Sequence, residues 1–312
     1  MRRLVIDIGY GDVKFKIDDE YQAKFPSTFS QQTVYKDFKG ETRDRGYYQT
    51  GNRLLQYAIG LQSELYKGGI VYIENYDDLV KFAPYFVFHA IQLAKQKGID
   101  GTFNKLITGL TIREWHERQR FFNAIKEINI NDETITFDKR VAYVQGQGIY
   151  FNNTTEEERK KYISVLDIGY NTVDILLFKD NTIIEECSTV RTYGVEIMVN
   201  ELQNFINQQY KANISEQQAK LALENKSIDI DGKTINLEEI IYYIVSKYAT
   251  DTLITTKKHL KGYMISKIIV SGGGAYLLEN VPLNDPFVLS KKPYEFQNVE
   301  GYYNYDKEIE GD

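Results

Sequence analysis

Apolar residues recur along the 312-residue chain with two periods, and the switches between them mark its elements. Over residues 3–9, 12–18 and 20–25 short apolar runs are broken by Gly, Asp and Glu. That pattern predicts three antiparallel strands in meander order, closed by Pro26-Ser27. Residues 30–75 mix Gly, Asn, Gln and Tyr without sustained periodicity, and predict a small peripheral subdomain with short strands such as Gly69-Ile70-Val71-Tyr72-Ile73. From Asp77 to Lys97 the positions Leu79, Val80, Phe82, Ala83, Phe86, Val87, Ala90, Ile91 and Ala94 recur at helical spacing, and Gly98 supplies the stop. Lys105-Leu106-Ile107-Thr108-Gly109-Leu110 has the apolar content of a buried parallel strand, and an amphipathic helix is expected over Ile112 to Ile128. Helical periodicity returns over Gly194–Tyr210 and Leu237–Leu260. Lys267-Ile268-Ile269-Val270 then predicts a strand running into Ser271-Gly272-Gly273-Gly274. Strands alternating with helices in this way indicate an α/β fold.

One phrase of this pattern occurs twice. Leu4-Val5-Ile6-Asp7-Ile8-Gly9-Tyr10-Gly11-Asp12-Val13-Lys14-Phe15 is matched by Val165-Leu166-Asp167-Ile168-Gly169-Tyr170-Asn171-Thr172-Val173-Asp174-Ile175, about half the chain away. Each reads as a β-hairpin: an apolar strand running into Asp, a glycine turn and a second apolar run. A chain of this length exceeds the size at which single cores stop growing. The repeat therefore predicts two domains, 1–152 with the peripheral subdomain at about 30–75, and 153–312 with a helical subdomain at about 190–260. The junction is expected in Asn152-Asn153-Thr154-Thr155-Glu156-Glu157-Glu158-Arg159-Lys160, which has no core-forming residues.

Composition narrows the setting. The net charge of −6, with acids and bases interspersed, argues against broad nucleic-acid binding; Lys257-Lys258-His259 with Lys261 reads as a solvated helix face near a C-terminus. No apolar run approaches the ~20 residues of a membrane helix, and Met1-Arg2-Arg3-Leu4 runs straight into a strand. A single cysteine, Cys187, excludes an internal disulfide and a cysteine-rich zinc site, so a reducing cytoplasm is expected.

The repeated hairpins carry the candidate chemistry. Asp7 and Asp167, each ending an apolar strand, are expected to project from it as oxygen ligands for Mg²⁺, which keeps most of its waters and takes one or two carboxylates. Gly9, Gly11 and Gly169 permit positive φ and close backbone approach, so that successive N–H groups form an anion-binding nest for phosphates. Lys14 is placed to reach back to a phosphate oxygen. Gly272, Gly273 and Gly274 follow a strand, where α/β sheets bind ligands.

Together these segments resemble the actin, Hsp70 and sugar-kinase superfamily of ATPases. The first loop, Asp7 to Lys14, resembles actin's Asp-x-Gly-x-Gly-x-Val-Lys, with Tyr10 and Asp12 as its variable residues. The second, Asp167 to Asp174, is similar to the Asp-x-Gly-x-x-Thr-x-Asp of plasmid-segregation (ParM-like) actins, with Tyr170, Asn171 and Thr172 in the loop. Ile107-Thr108-Gly109-Leu110 resembles that group's Thr-Gly-Leu-Pro, with Thr111 in place of Pro. Phe296-Gln297-Asn298-Val299-Glu300-Gly301-Tyr302 is similar to its closing Ala-Asn-x-x-Gly-Tyr.

The resemblance implies a two-domain actin-like, ribonuclease H-like duplicated fold with ATP or ADP and Mg²⁺ in the interdomain cleft, and a C-terminal tail returning to domain I. It implies that Gln145, in Ala142-Tyr143-Val144-Gln145-Gly146-Gln147-Gly148, orients the attacking water, with Gln147 as the rival residue. Gly194 and Glu196 would lie on the ribose side, and Lys220, Glu216 or Glu224 would contact adenine. Tyr10 and Tyr170 stand where the family has small or hydroxyl residues. The implied activity is slow ATP hydrolysis that regulates head-to-tail filaments, with plasmid DNA reached through a DNA-binding adaptor and no membrane partner. A small-molecule kinase and a non-polymerising nucleotide-binding regulator are the alternatives.

Overall fold

The computed structural model describes residues 2–33, 47–49, 55–60, 70–131 and 133–311. The chain divides into two compact units, Met1–Thr154 with Glu295–Asp312, and Thr155–Tyr294.

The first unit opens with the meander β1 (Arg2–Ile8), β2 (Asp12–Ile17) and β3 (Tyr21–Pro26). A separate four-stranded sheet follows, made from β4 (Thr28–Thr33), β5 (Tyr47–Gln49), β6 (Leu55–Ile59) and β7 (Ile70–Tyr72); residues 34–46, 50–54 and 61–69 of the subdomain expected at 30–75 lie outside the described residues. Helix α1 (Tyr76–Gln96) begins where the Asn75 side chain accepts from Asp78 N–H at 3.0 Å and is followed by Gly98 at φ +77°. Then come β8 (Phe103–Leu110), α2 (Arg118–Ala124), the hairpin β9 (Glu127–Ile130) and β10 (Glu133–Thr136), β11 (Lys139–Val144) and α3 (Gln147–Asn152).

The helix expected over Ile112–Ile128 is thus much shorter. Glu127 and Asn129 are exposed while Ile128 and Ile130 are buried, so the period has already changed from 3.6 to 2.

The sheet order is β11-β8-β1-β2-β3, with β8 parallel to β1 and β11, and the hairpin antiparallel. Strand β1 is buried on both faces: Leu4, Ile6 and Ile8 join the core beneath α1, while Val5 packs in a second cluster with Ile107, Val299 and Tyr302.

The second unit starts with α4 (Glu156–Arg159), β12 (Tyr162–Ile168), β13 (Val173–Lys179), β14 (Thr182–Ile183) and β15 (Thr189–Arg191). It continues through α5 (Glu196–Tyr210), α6 (Glu216–Asn225), the hairpin β16 (Ser227–Ile230) and β17 (Lys233–Asn236), and α7 (Glu238–His259), and ends with β18 (Ile265–Ser271) and β19 (Phe287–Leu289). Its sheet order, β14-β13-β12-β18-β19, repeats the first unit's plan of hairpin, central strand and two parallel neighbours. Even an irregularity is repeated: the register shifts between Arg2 and Arg3 where β1 meets β8, and between Tyr162 and Ile163 where β12 meets β18. The chain then returns to the first unit as α8 (Gln297–Glu310), which packs on α3, β1, β2 and β8.

Candidate functional site

Each unit carries one copy of the repeated hairpin loop, and the two have the same register. Asp7 pairs with Lys14 and Ile8 with Val13; Asp167 pairs with Asp174 and Ile168 with Val173. Both four-residue loops are closed by the same bond, Gly9 N–H to Asp12 C=O at 3.1 Å and Gly169 N–H to Thr172 C=O at 2.9 Å. Neither Gly9 nor Gly169 has positive φ, contrary to expectation. What requires glycine is close approach: a Cβ would lie 3.1 Å from Asp12 O at Gly9, and 3.2 Å from Thr172 O at Gly169.

The loop carbonyls are bonded inward. In the first loop the Ser27 hydroxyl donates to Gly9 C=O, Ser27 N–H to Gly11 C=O at 3.1 Å, and Lys14 Nζ to Asp12 C=O at 3.2 Å. In the second, three donors at the start of α5 take the carbonyls: Val195 N–H bonds Gly169 O at 3.1 Å, Glu196 N–H bonds Tyr170 O at 2.8 Å, and Gly194 N–H bonds Asn171 O at 3.2 Å. In a trans peptide the C=O of one residue and the N–H of the next point in opposite directions. Carbonyls turned inward at 169–171 therefore turn the N–H groups of Tyr170, Asn171 and Thr172 away from α5, and those at Gly9 and Gly11 turn the N–H groups of Tyr10 and Asp12 away from Ser27. Such an edge of amides is what an anion-binding nest presents.

In the first unit Asp7 is 6% exposed, and its carboxylate accepts a hydrogen bond from Gln145 Nε2 at 2.7 Å. The structure thus joins two of the expected site residues, although Asp7 is buried among protein groups instead of projecting into solvent. Lys14 Nζ lies 3.5 Å from the point where a Gly9 Cβ would stand, so the lysine does reach back over the loop. Gln147 is engaged elsewhere, since its side-chain oxygen accepts from Val144 N–H at 2.8 Å and closes the turn. Tyr10 donates to Glu114 Oε1 at 3.0 Å, while Glu114 Oε2 accepts from Thr111 N–H at 3.2 Å, so the tyrosine is tied to the end of β8.

In the second unit Asp167 is half-buried against the glycine-rich turn. Gly272 has φ +86°, and a Cβ there would lie 2.3 Å from Asp167 Oδ1. Gly274 is equally constrained, since its Cβ would lie 2.3 Å from Ile168 Cγ2, whereas Gly273 faces open space. Gly194 is packed under the loop, its Cβ position 2.1 Å from Tyr170 O. Helix α6 brings Glu216 and Lys220 to Tyr170: the phenol donates to the Glu216 carboxylate, and Lys220 Nζ stands 5.1 Å from the ring centroid. Glu224 is exposed further along the same helix.

Asp7 in the first unit and Asp167 in the second are each carboxylates, the donor type that a hard cation such as Mg²⁺ takes. Among the described residues, no cluster of three or more His, Cys, Asp or Glu forms a self-contained metal cage. Sequence reasoning missed the tether Glu114 and the loop support from Ser27, and it named Glu216 for adenine without foreseeing its bond to Tyr170. Those contacts span 18 to 104 residues, and no local pattern announces them.

Residues 165–281 match the family model "Archaeal actin homologue MreB-like, C-terminal". No curated protein sequence matches the chain. Among solved structures, the archaeal actin homologue Ta0583 superposes with a TM-score of 0.81 at 19% identity, covering 99% of this chain and 100% of that one; its complex with ADP gives 0.75. A 15-stranded ParM filament from Clostridium botulinum gives 0.76 at 18% identity, with 98% and 99% covered. Bacillus thuringiensis ParM with ATP gives 0.72 at 15% identity over both whole chains. The chain has the two-domain actin-like fold, with a second half similar to the C-terminal domain of MreB-like archaeal actin homologues.

Proposed function

We propose that this protein binds ATP through its two hairpin loops, hydrolyses it slowly and forms filaments whose stability the hydrolysis controls. The observation that supports this reading is the inward bonding of the loop carbonyls in both units, which leaves each loop with an amide edge suited to an anion. A polyphosphate is the natural occupant of such edges with Lys14 beside one of them. The similar structures include one with ADP, one with ATP and one assembled as a filament.

Asp7 and Asp167 are the proposed Mg²⁺ ligands; the ion would neutralise phosphate charge as it develops in phosphoryl transfer. Gln145 orients the attacking water. One Nε2 hydrogen is donated to Asp7; the second can donate to the water and Oε1 can accept from it. A neutral amide is a poor base, so turnover is slow, and the lack of a carboxylate at this position argues against a kinase acting on an acceptor hydroxyl. Tyr170 with Lys220 and Glu216 forms the base-side wall, and Gly194 and Glu196 lie toward the ribose. Segregation of plasmid DNA through an adaptor is the cellular role that the resemblance to ParM-like actins favours. The net charge of −6 makes direct, broad DNA binding unfavourable.

The test is phosphate release and nucleotide affinity in Asp167→Ala and Gln145→Ala. Asp167→Ala is expected to abolish release; Gln145→Ala is expected to slow it by about 100-fold with affinity unchanged. Wild-type release from Asp167→Ala would overturn the site.

A further inference from the structure

Gln145 is held by both of its peptide planes. The plane before it contains Val144 C=O, which accepts from Tyr302 OH at 3.3 Å, and Gln145 N–H, which donates to Leu110 C=O at 2.8 Å. The plane after it contains Gly146 N–H, which donates to Asn298 Oδ1 at 2.9 Å. Because peptide units are planar, fixing both planes fixes φ and ψ of Gln145 and hence the direction of its Cα–Cβ bond, while its amide end is held by Asp7 at 2.7 Å. Both side chains come from α8, about 150 residues away, and both are buried.

The helix itself has no freedom to slide. A Cβ on Gly301 would lie 1.8 Å from Gly148 O, and one on Gly148 would lie 2.2 Å from Asn298 O, so α3 and α8 cross in backbone contact. Tyr302 OH also stands 2.5 Å from the Cβ position of Gly109, whose other neighbour is Gln145 Cγ at 3.1 Å. At the far end of α8, Asp306 is paired with buried Lys105 at 2.6 Å.

We propose that Asn298 and Tyr302 are positioning residues that set the aim of the Gln145 side chain, and through it the rate of nucleotide hydrolysis. The inference rests on the reading of Gln145 as the residue that orients water.

Four variants of the full chain test it: Gln145→Ala, Asn298→Ala, Tyr302→Phe and the double variant Gln145→Ala/Tyr302→Phe. Each is assayed for the kcat of phosphate release from Mg-ATP and for the Kd of a fluorescent ATP analogue. Asn298→Ala and Tyr302→Phe are expected to lower kcat about 10-fold or more with Kd within about twofold, as misplacement of a catalytic group does. The double variant is expected to be no slower than Gln145→Ala alone. Unchanged kcat in Asn298→Ala and Tyr302→Phe alongside a slow Gln145→Ala would overturn this inference alone. So would additive loss in the double variant, or Kd rising in step with the fall in kcat. Wild-type turnover in Gln145→Ala would instead overturn the assignment beneath it.

Discussion

At the residue scale the glycine-rich turn after β18 makes the sharpest demand. Gly272→Ala puts a methyl group onto Asp167 Oδ1 and Ile168 O at a positive φ, so the loop or the turn must move. Gly274→Ala drives one into Ile168 Cγ2, whereas Gly273→Ala meets nothing within 4 Å. Thermal unfolding is expected to place Gly272→Ala and Gly274→Ala lower in Tm, by at least about 1 kcal/mol of stability, and to leave Gly273→Ala close to wild type. Equal midpoints for all three would contradict the packing described. From sequence the three glycines are indistinguishable, because what separates them is which one lies against β12. The same holds for Tyr10 and Tyr170. Their departure from small residues was legible, but their carboxylate tethers Glu114 and Glu216 sit on elements that only the fold brings near.

At the element scale α8 is fastened by ionic contacts. Lys105 Nζ bonds both Asp306 oxygens at 2.6 Å and Glu310 Oε1 at 2.7 Å; Arg3 and Lys139 also reach Glu310. The Lys105 and Asp306 side chains are only 6% and 4% exposed, so Lys105→Met takes from the buried Asp306 carboxylate its closer counter-ion and leaves it to Arg3, whose Nε stands 3.3 Å from Oδ2. Chemical denaturation should show a loss of about 1–3 kcal/mol, partly recovered in Lys105→Met/Asp306→Leu. A single variant as stable as wild type would mean that Lys105 does not fasten α8.

Hydrogen bonds from Lys105, Lys139 and Arg3 hold the Glu310 carboxyl down to about 2. Its folded-state value lies below the ordinary 4.5, so its contribution is present above pH 4.5 and fades as pH falls toward 2.

Burial beside Phe25 takes His89 of α1 from 6.5 down to about 3. Between those values the unfolded chain binds a proton that the fold does not, so stability falls as pH drops through that window, by about tenfold in the folding equilibrium per pH unit. Denaturation curves from about pH 7 to about pH 5 should show this slope in the wild type and a flatter one in His89→Leu; identical slopes would remove His89 as its source.

Elements with one sustained period were readable. Helices α1 and α7 and the two hairpins fall close to where the apolar spacing puts them. The error at Ile112–Ile128 arose where a 3-10 turn, a two-turn helix and a strand follow within sixteen residues. No period lasts long enough there to declare itself.

At the scale of the whole molecule, the repeat that sequence shows as one short phrase extends to entire sheets, down to a register shift at corresponding strand starts. Duplication on this scale was foreseeable from the Asp-Ile-Gly-Tyr pair. The hairpins β9–β10 and β16–β17, placed differently in the two units, were not, because insertions obey no internal symmetry.

The proposed assembly is likewise a property of the whole chain, and head-to-tail contacts that do not close build open polymers. The measurement that tests this most directly is right-angle light scattering of the purified protein after addition of Mg-ATP, with Mg-ADP as control and phosphate followed in the same sample. Scattering that rises with ATP, stays flat with ADP and decays as phosphate accumulates is the predicted result. A flat trace with ATP at concentrations where the nucleotide is bound would contradict a nucleotide-driven filament.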